Sequence, residues 1–284
     1  MYFRSDMAKE VHERIMSDYS KEHEGEPDGI KYSEHGRVCV VDVFNENGAR
    51  LLGKPRGKYV TVNVGRIWES DADSFRKCAD IICGVIKDLA KPDGCVLTVG
   101  LGSRDVTADA LGPLAAGHVI ATHHITNMNI YKESGFGDCA ALFPGVLAQT
   151  GIEAEKQIKA AAETVKPGLI IIIDSLAAAG IETLSTSVQI TDTGISPGSG
   201  VGNDRGELSS KTLGTRVIAI GVPTVIDAAA LVKNCTAEDK KRLKGCYVCP
   251  KDGDRSVKEL ARLIGYAINR VCHPFLSYGD MAYI

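Results

Sequence analysis

No stretch of this 284-residue chain supplies the roughly 20 consecutive apolar residues that a membrane-spanning helix requires, so no membrane partner is expected. An excess of positive charge is lacking too. Lys and Arg number 33 against 36 Asp and Glu, and the net charge of −3 gives no global attraction to nucleic acid. The polar start "MYFRSDMAKEVHERIMSDYSKE" does not read as a secretory signal peptide. There is no cysteine framework either, because nine cysteines are scattered without regular spacing and fit buried thiols in a reducing cytoplasm. The CxxC pair Cys246 and Cys249 would need two further zinc ligands, and only Cys272 and His273 lie nearby in sequence. No βαβ start precedes that pair, so redox activity is not expected from it.

Nucleotide motifs are incomplete. The loop "PGSGVGN" (197–203) lacks the Lys-Ser/Thr ending of a P-loop, and "GLGSRD" lacks the third glycine of a dinucleotide fingerprint. No G-x-S-x-G elbow follows a strand, although Ser103, Ser175, Ser199, His123 and His124 offer the residue types for a triad. The two histidines read as surface or packing residues.

What is present is an alternation of β-rich and helical segments. Strands are expected at 37–44, 58–64, 95–102, 168–175, 187–193 and 216–222. Helices are expected at 7–20, 71–90, about 109–119, 153–165, 224–233 and 255–272. The continuous apolar runs "CVLTVGLG" and "GLIIIIDS" suit strands buried on both faces. With no repeat, linker or low-complexity tract, residues 1–284 read as one α/β domain with a mainly parallel sheet flanked by helices.

Ligands of such sheets bind beyond the carboxyl ends of the strands, which singles out three loops. These are "GLGSRDVTADALGP", "DSLAAAG" and "DTGISPGSGVGNDRGE", each carrying an aspartate. Asp174 follows four isoleucines directly, and a buried carboxylate costs several kcal/mol unless it is paired or functional. The competing reading is that Asp174 caps a helix "SLAAA" and that Asp109 favours a helix dipole in a first turn. Asp105 reads as a solvated loop residue.

Four stretches then resemble the germination proteases of endospore-forming bacteria. They are "NENGARLLGKPRGKYVTVNV", "GLGSRDVTADALGPLAAGHVIATHHI", "LIIIIDSLAAA" and "VQITDTGISPGSGVGNDRGELSSKTLGTRVIAIGVPTVIDA". The likeness runs in order from about Arg4 to at least Ala228. It implies a core fold similar to hydrogenase-maturation endopeptidases within the phosphorylase/hydrolase-like group. It also implies an endopeptidase that starts degradation of small acid-soluble spore proteins in the spore core, a cytoplasmic compartment, acting as a homotetramer made as a zymogen. The family's essential aspartates, in "TPDALGP" and "IDALA", fall on Asp109 in "TADALGP" and Asp174 in "IDSLAAA".

The resulting expectation is catalysis by an Asp109–Asp174 carboxyl pair, which can divide acid and base roles by sharing a proton. The loop glycines Gly198, Gly200 and Gly202, with Asn203, are expected to bind substrate backbone. Removal of a short segment, about residues 1–6, is expected by cleavage between Asp6 and Met7. The competing view there is an ordinary helix start capped by Ser5 or Asp6. No cofactor is expected. No metal is expected either, because a bridged aspartate pair shows no third ligand of obvious identity. A nucleoside phosphorylase-like enzyme using Arg104 or Arg205, or a non-catalytic peptide-binding protein, stands as the alternative.

Overall fold

The computed structural model describes residues 5–21, 23–129, 131, 135–196, 206–231, 236–243 and 245–281. Among them, nine strands join one sheet: β1 (Ile30–His35), β2 (Val38–Val43), β3 (Gly57–Asn63), β4 (Val96–Gly100), β5 (Cys139–Leu142), β6 (Leu169–Ala178), β7 (Ser187–Thr191), β8 (Arg216–Asp227) and β9 (Tyr247–Val248). Their spatial order is β1-β2-β3-β7-β8-β6-β4-β5, with β9 attached to β8. β5, β4, β6 and β8 run parallel and form the central block that the apolar runs announce. β1, β2, β3 and β7 extend it as an antiparallel flank.

The isoleucine run sets the layers. Successive strand residues face opposite sides of a sheet, so Leu169, Ile171 and Ile173 enter one core and Ile170 and Ile172 the other. On the first side they meet Ile82 and Ile86 of α3 (Ala72–Leu89), Leu111 of α4 (Leu111–Gly117) and Leu260 and Ile264 of α6 (Gly253–Cys272). On the second they meet Leu97 and Val99 of β4, Val217 of β8 and Ile158 of α5 (Ala154–Val165). Each buried isoleucine is worth about 2 kcal/mol, so a one-residue slip of β6 would forfeit several such contacts at once. That register fixes which face Asp174 presents: by parity it is the face of Ile170 and Ile172, under α5.

Several boundaries differ from the sequence reading. β6 continues through Ser175, Leu176, Ala177 and Ala178, so "SLAAA" is strand and Asp174 caps no helix. Pairing with β8 as far as Ala178↔Ile226 keeps it extended, despite a register shift between Leu176 and Ala177. Residues 107–109 form a short 3-10 turn, and α4 begins only at Leu111. β8 likewise runs on to Asp227, which leaves helix only from Ala228 onward. β1 and β5 escaped notice because "IKYSEH" is largely polar and "CAAL" is short.

Two further helices, α1 (Ala8–Tyr19) and α2 (Glu46–Leu52), pack near the antiparallel flank, where Ala8 and Leu52 join the cluster of Val41, Val43 and Tyr59. Among the described residues, no helix is long and apolar enough to cross a membrane. The start of α1 is tied to the end of β6 by a buried carboxylate. Glu10 accepts hydrogen bonds from the backbone N–H groups of Ala179 (2.7 Å) and Gly180 (3.2 Å), and from the hydroxyls of Ser5 and Thr183. Replacing it removes the shared acceptor of these buried and half-buried donors. Glu10→Ala is therefore expected to cost about 2–4 kcal/mol, read as a lower urea midpoint at unchanged slope. A loss below about 0.5 kcal/mol would show that α1 is held by something else.

Candidate active site

β4 ends at Gly100 opposite Ile173, whereas β6 continues for five more residues and β8 for seven. The step leaves a crevice at the carboxyl end of the parallel block, where ligands of such sheets bind. A cleft of about 1100 Å³ opens there, and both Asp109 and Asp174 line it. Asp174 stands on β6 at the first position beyond the last β4 pair, buried, with Oδ1 accepting from the Ser175 N–H at 2.9 Å. Asp109 arrives from the neighbouring strand's loop. Its Oδ2 accepts from the Ser103 N–H at 2.8 Å, which folds the 103–109 segment back on itself.

Gly102 makes that fold possible. Its φ of +108° suits glycine, and an added Cβ would lie 2.1 Å from the Asp109 carbonyl oxygen and 2.9 Å from its Oδ1. The glycine-rich turn thus serves to seat a carboxylate against backbone, which answers why acidic residues follow it. Neither aspartate caps a regular helix by its side chain.

One wall of the cleft already holds peptide. Asp6 lines it, and its N–H donates to the Ala177 carbonyl at 2.9 Å while its Oδ2 accepts from the Ala177 N–H at 2.9 Å. The Asp6 carbonyl, the one belonging to the Asp6–Met7 bond, accepts from Lys54 Nζ at 2.9 Å and from Gln189 Nε2 at 3.2 Å. Gln189 also takes the Ala8 N–H at 2.7 Å, whereas Ser5 Oγ accepts the N–H of the N-cap residue Met7 at 2.9 Å and Asp6 caps nothing in α1. Met7 sits at the N-cap position, fully buried. Burial pulls the Lys54 ammonium below the ordinary lysine pKa, and the carboxylates of Asp6 and Glu10 act against that pull.

Sequence reading missed Lys54 and Gln189. Lys54 lies in a stretch legible only as a turn, between left-handed Gly53 and Pro55. Gln189 carried a weak signal, a lone amide in the buried strand "SVQIT".

The glycine loop reaches the cleft at its base. Thr193, Gly194, Ile195, Ser196, Gly206 and Glu207 contribute to the lining. Ile195 and Leu208 exchange backbone hydrogen bonds of 3.0 and 2.8 Å that pinch the loop closed. Gly194, at φ +86°, has the Leu208 carbonyl 2.3 Å from where a Cβ would stand. Gly198, Gly200, Gly202 and Asn203 fall outside the described residues, as does Arg205.

Arg104 turns away from the cleft, donating to the Pro113 carbonyl at 3.2 Å with its guanidinium over Phe143. No histidine is among the described residues that line the cleft with Ser175, and Ser103 lies outside that lining, its hydroxyl accepting from Gln149 Nε2 at 2.9 Å. Asp105 is exposed and accepts from Gln149 Nε2 at 2.8 Å. Among the described residues, neither Asp109 nor Asp174 belongs to a three-residue group spaced to hold a metal. Cys246 and Cys249 are exposed free thiols.

Asp109 and Asp174, with Asp6 and Glu207, thus line one crevice beyond the carboxyl ends of a parallel sheet, the place where α/β enzymes bind their ligands. Sequence comparison gives the class its name. The sequence profile of the germination protease family matches residues 5–238, and this chain belongs to that family of endopeptidases acting in spore germination. The germination protease of Caldanaerobacter subterraneus is 36% identical, with 98% of this chain and 96% of that protein covered. That of Clostridium tetani is 33% identical, with 99% and 98% covered. The Bacillus subtilis protein is 39% identical over 81% of this chain and 65% of its own length. Among solved structures, a [NiFe] hydrogenase maturation protease, HycI from Thermococcus kodakarensis, aligns at 18% identity with a TM-score of 0.40, covering 66% of this chain and 98% of that one.

Gly102→Ala tests the seat of Asp109. The backbone strain is expected to cost about 1–3 kcal/mol of stability, whereas displacement of the carboxylate should lower kcat by about 100-fold or more. Peptide turnover within twofold of the parent at 25 °C would contradict this role for the glycine.

Proposed function

We propose that Asp109 and Asp174 hydrolyse the peptide bond as a carboxyl pair. One observation carries the reading: the two side chains line a single cleft, Asp174 on β6 and Asp109 on the loop that follows the adjacent strand β4, each with one oxygen tied to a backbone N–H. Two carboxyls placed to share a proton supply one ionised and one protonated group at the same pH. The ionised member takes a proton from water as that water attacks the carbonyl carbon. The protonated member gives its proton to the departing amine. Charge growing on the carbonyl oxygen needs fixed donors, and Lys54 with Gln189 already offers such a pair to a peptide carbonyl.

Family membership supports small acid-soluble spore proteins as substrates, in the spore core, with the enzyme assembled as a homotetramer. The loop bearing Gly198, Gly200, Gly202 and Asn203 is assigned to substrate backbone, because its two ends lie in the cleft wall. The Asp6–Met7 bond is assigned as the site of self-processing. Its support is the position of Asp6 in the cleft, carbonyl on two donors, immediately before α1.

A single set of proteins tests both assignments. Asp109→Asn and Asp174→Asn keep side-chain shape and remove the acid-base group, so each should lower cleavage of a spore-protein-like peptide by at least about 10⁴-fold while the melting temperature stays within a few degrees. Mass spectrometry of the parent after incubation at mildly acidic pH should find a new terminus at Met7, absent from both variants. Turnover within tenfold of the parent in either variant removes the pair mechanism. A fully active parent that retains residues 1–6 removes self-processing alone.

A further inference from the structure

At the amino end of the parallel block, away from the cleft, three side chains of different chemistry converge. The Val96 N–H donates to the Asp138 carbonyl at 3.0 Å and Val96 pairs with Cys139, which sets Cys95 beside Asp138 on adjacent strands. Thr122 stitches the turn bearing His123 to the same place. Its N–H donates to the Cys139 carbonyl at 2.8 Å, and its hydroxyl donates to the Gly137 carbonyl at 2.6 Å and accepts from the Cys139 N–H at 3.0 Å. Cys95 Sγ, an imidazole nitrogen of His123 and a carboxylate oxygen of Asp138 all lie within 4.8 Å of one another. His123 Nδ1 is 2.8 Å from Asp138 Oδ1. Cys95 is buried while His123 and Asp138 are half-buried, so the group is anchored on one side and reachable from the other.

We propose that Cys95, His123 and Asp138 form a binding site for a zinc-like divalent cation, with water as the fourth ligand. Zinc bonds of about 2.0–2.3 Å place tetrahedral donors about 3.3–3.8 Å apart, so Cys95 Sγ needs to close by up to about 1 Å while the hydrogen-bonded His123–Asp138 pair, now 2.8 Å apart, opens by about 0.5 Å. Side-chain torsions supply that much, because the backbone at each ligand or its neighbour is already fixed by the hydrogen bonds above. A thiolate with an imidazole selects zinc, cobalt or copper over magnesium and calcium. The exposed Cys246 and Cys249 form the competing thiol pair. A bound ion would cross-link β4, the start of β5 and the 123–125 turn. It acts as a brace remote from the aspartates, and its assignment does not rest on the protease mechanism.

Titration of the reduced, full-length protein with cobalt(II) decides the matter, because a thiolate ligand produces a charge-transfer band in the near ultraviolet. The expected result is one cobalt per chain with that band, displaced by zinc and preserved in the Cys246→Ser/Cys249→Ser variant. Cys95→Ser should abolish the band, and His123→Ala and Asp138→Asn should each weaken binding by about 10-fold or more. Zinc should raise the melting temperature of the parent and leave that of His123→Ala unchanged. The last two variants change partly exposed side chains, so they decide the question even if Cys95→Ser unfolds. Absence of the band, its loss with the Cys246/Cys249 pair, or equal affinity in the parent, His123→Ala and Asp138→Asn would overturn the assignment.

Discussion

The register of β6 is the constraint on which the rest of the molecule depends. Five apolar residues alternate between two cores, and the alternation leaves no freedom in which face the sixth residue presents. That residue is Asp174. Because β4 stops one position earlier, the carboxylate meets a crevice where its neighbours meet packed side chains. The hydrophobic effect therefore positions the carboxylate proposed as catalytic: large buried area on either side of the sheet fixes a polar atom that gains nothing from burial itself.

The second aspartate is placed by a different kind of force. Asp109 lies on an irregular segment, and its position relies on one backbone N–H and on a glycine that lets the carboxylate lie against main chain. The third component, α1, reaches the cleft through a buried glutamate and a bridging glutamine. Site and fold share parts at this point. Gln189 closes the first turn of the helix with its oxygen and holds a peptide carbonyl with its nitrogen, so a change there would be felt in both stability and chemistry.

Much of this was legible in the chain. The isoleucine run announced its strand, because buried parallel strands leave continuous apolar stretches, and the glycine turn before "TADALGP" announced its loop. The two aspartates were legible as strand-end carboxylates, and the likeness to germination proteases carried them from candidates to a pair. The antiparallel flank was half-visible: β2 and β3 read as strands, while β1, rich in polar residues, did not. Asp174 as a helix cap was a fair local reading that failed because pairing with β8 holds "SLAA" extended. Lys54, Gln189 and the convergence of Cys95, His123 and Asp138 depend on contacts across 15 to 183 positions of sequence, which no local pattern encodes.

The account stands on two carboxyl groups dividing one proton, and the pH dependence of kcat/KM on a spore-protein-like peptide tests this most directly. A shared proton predicts a bell, its acid limb from loss of the base and its alkaline limb from loss of the acid. The alkaline limb should stay in place in Lys54→Met, since it belongs to a carboxyl group and not to the neighbouring ammonium. A rate that rises to a plateau once both carboxyls are ionised, with no alkaline limb, would contradict the pair.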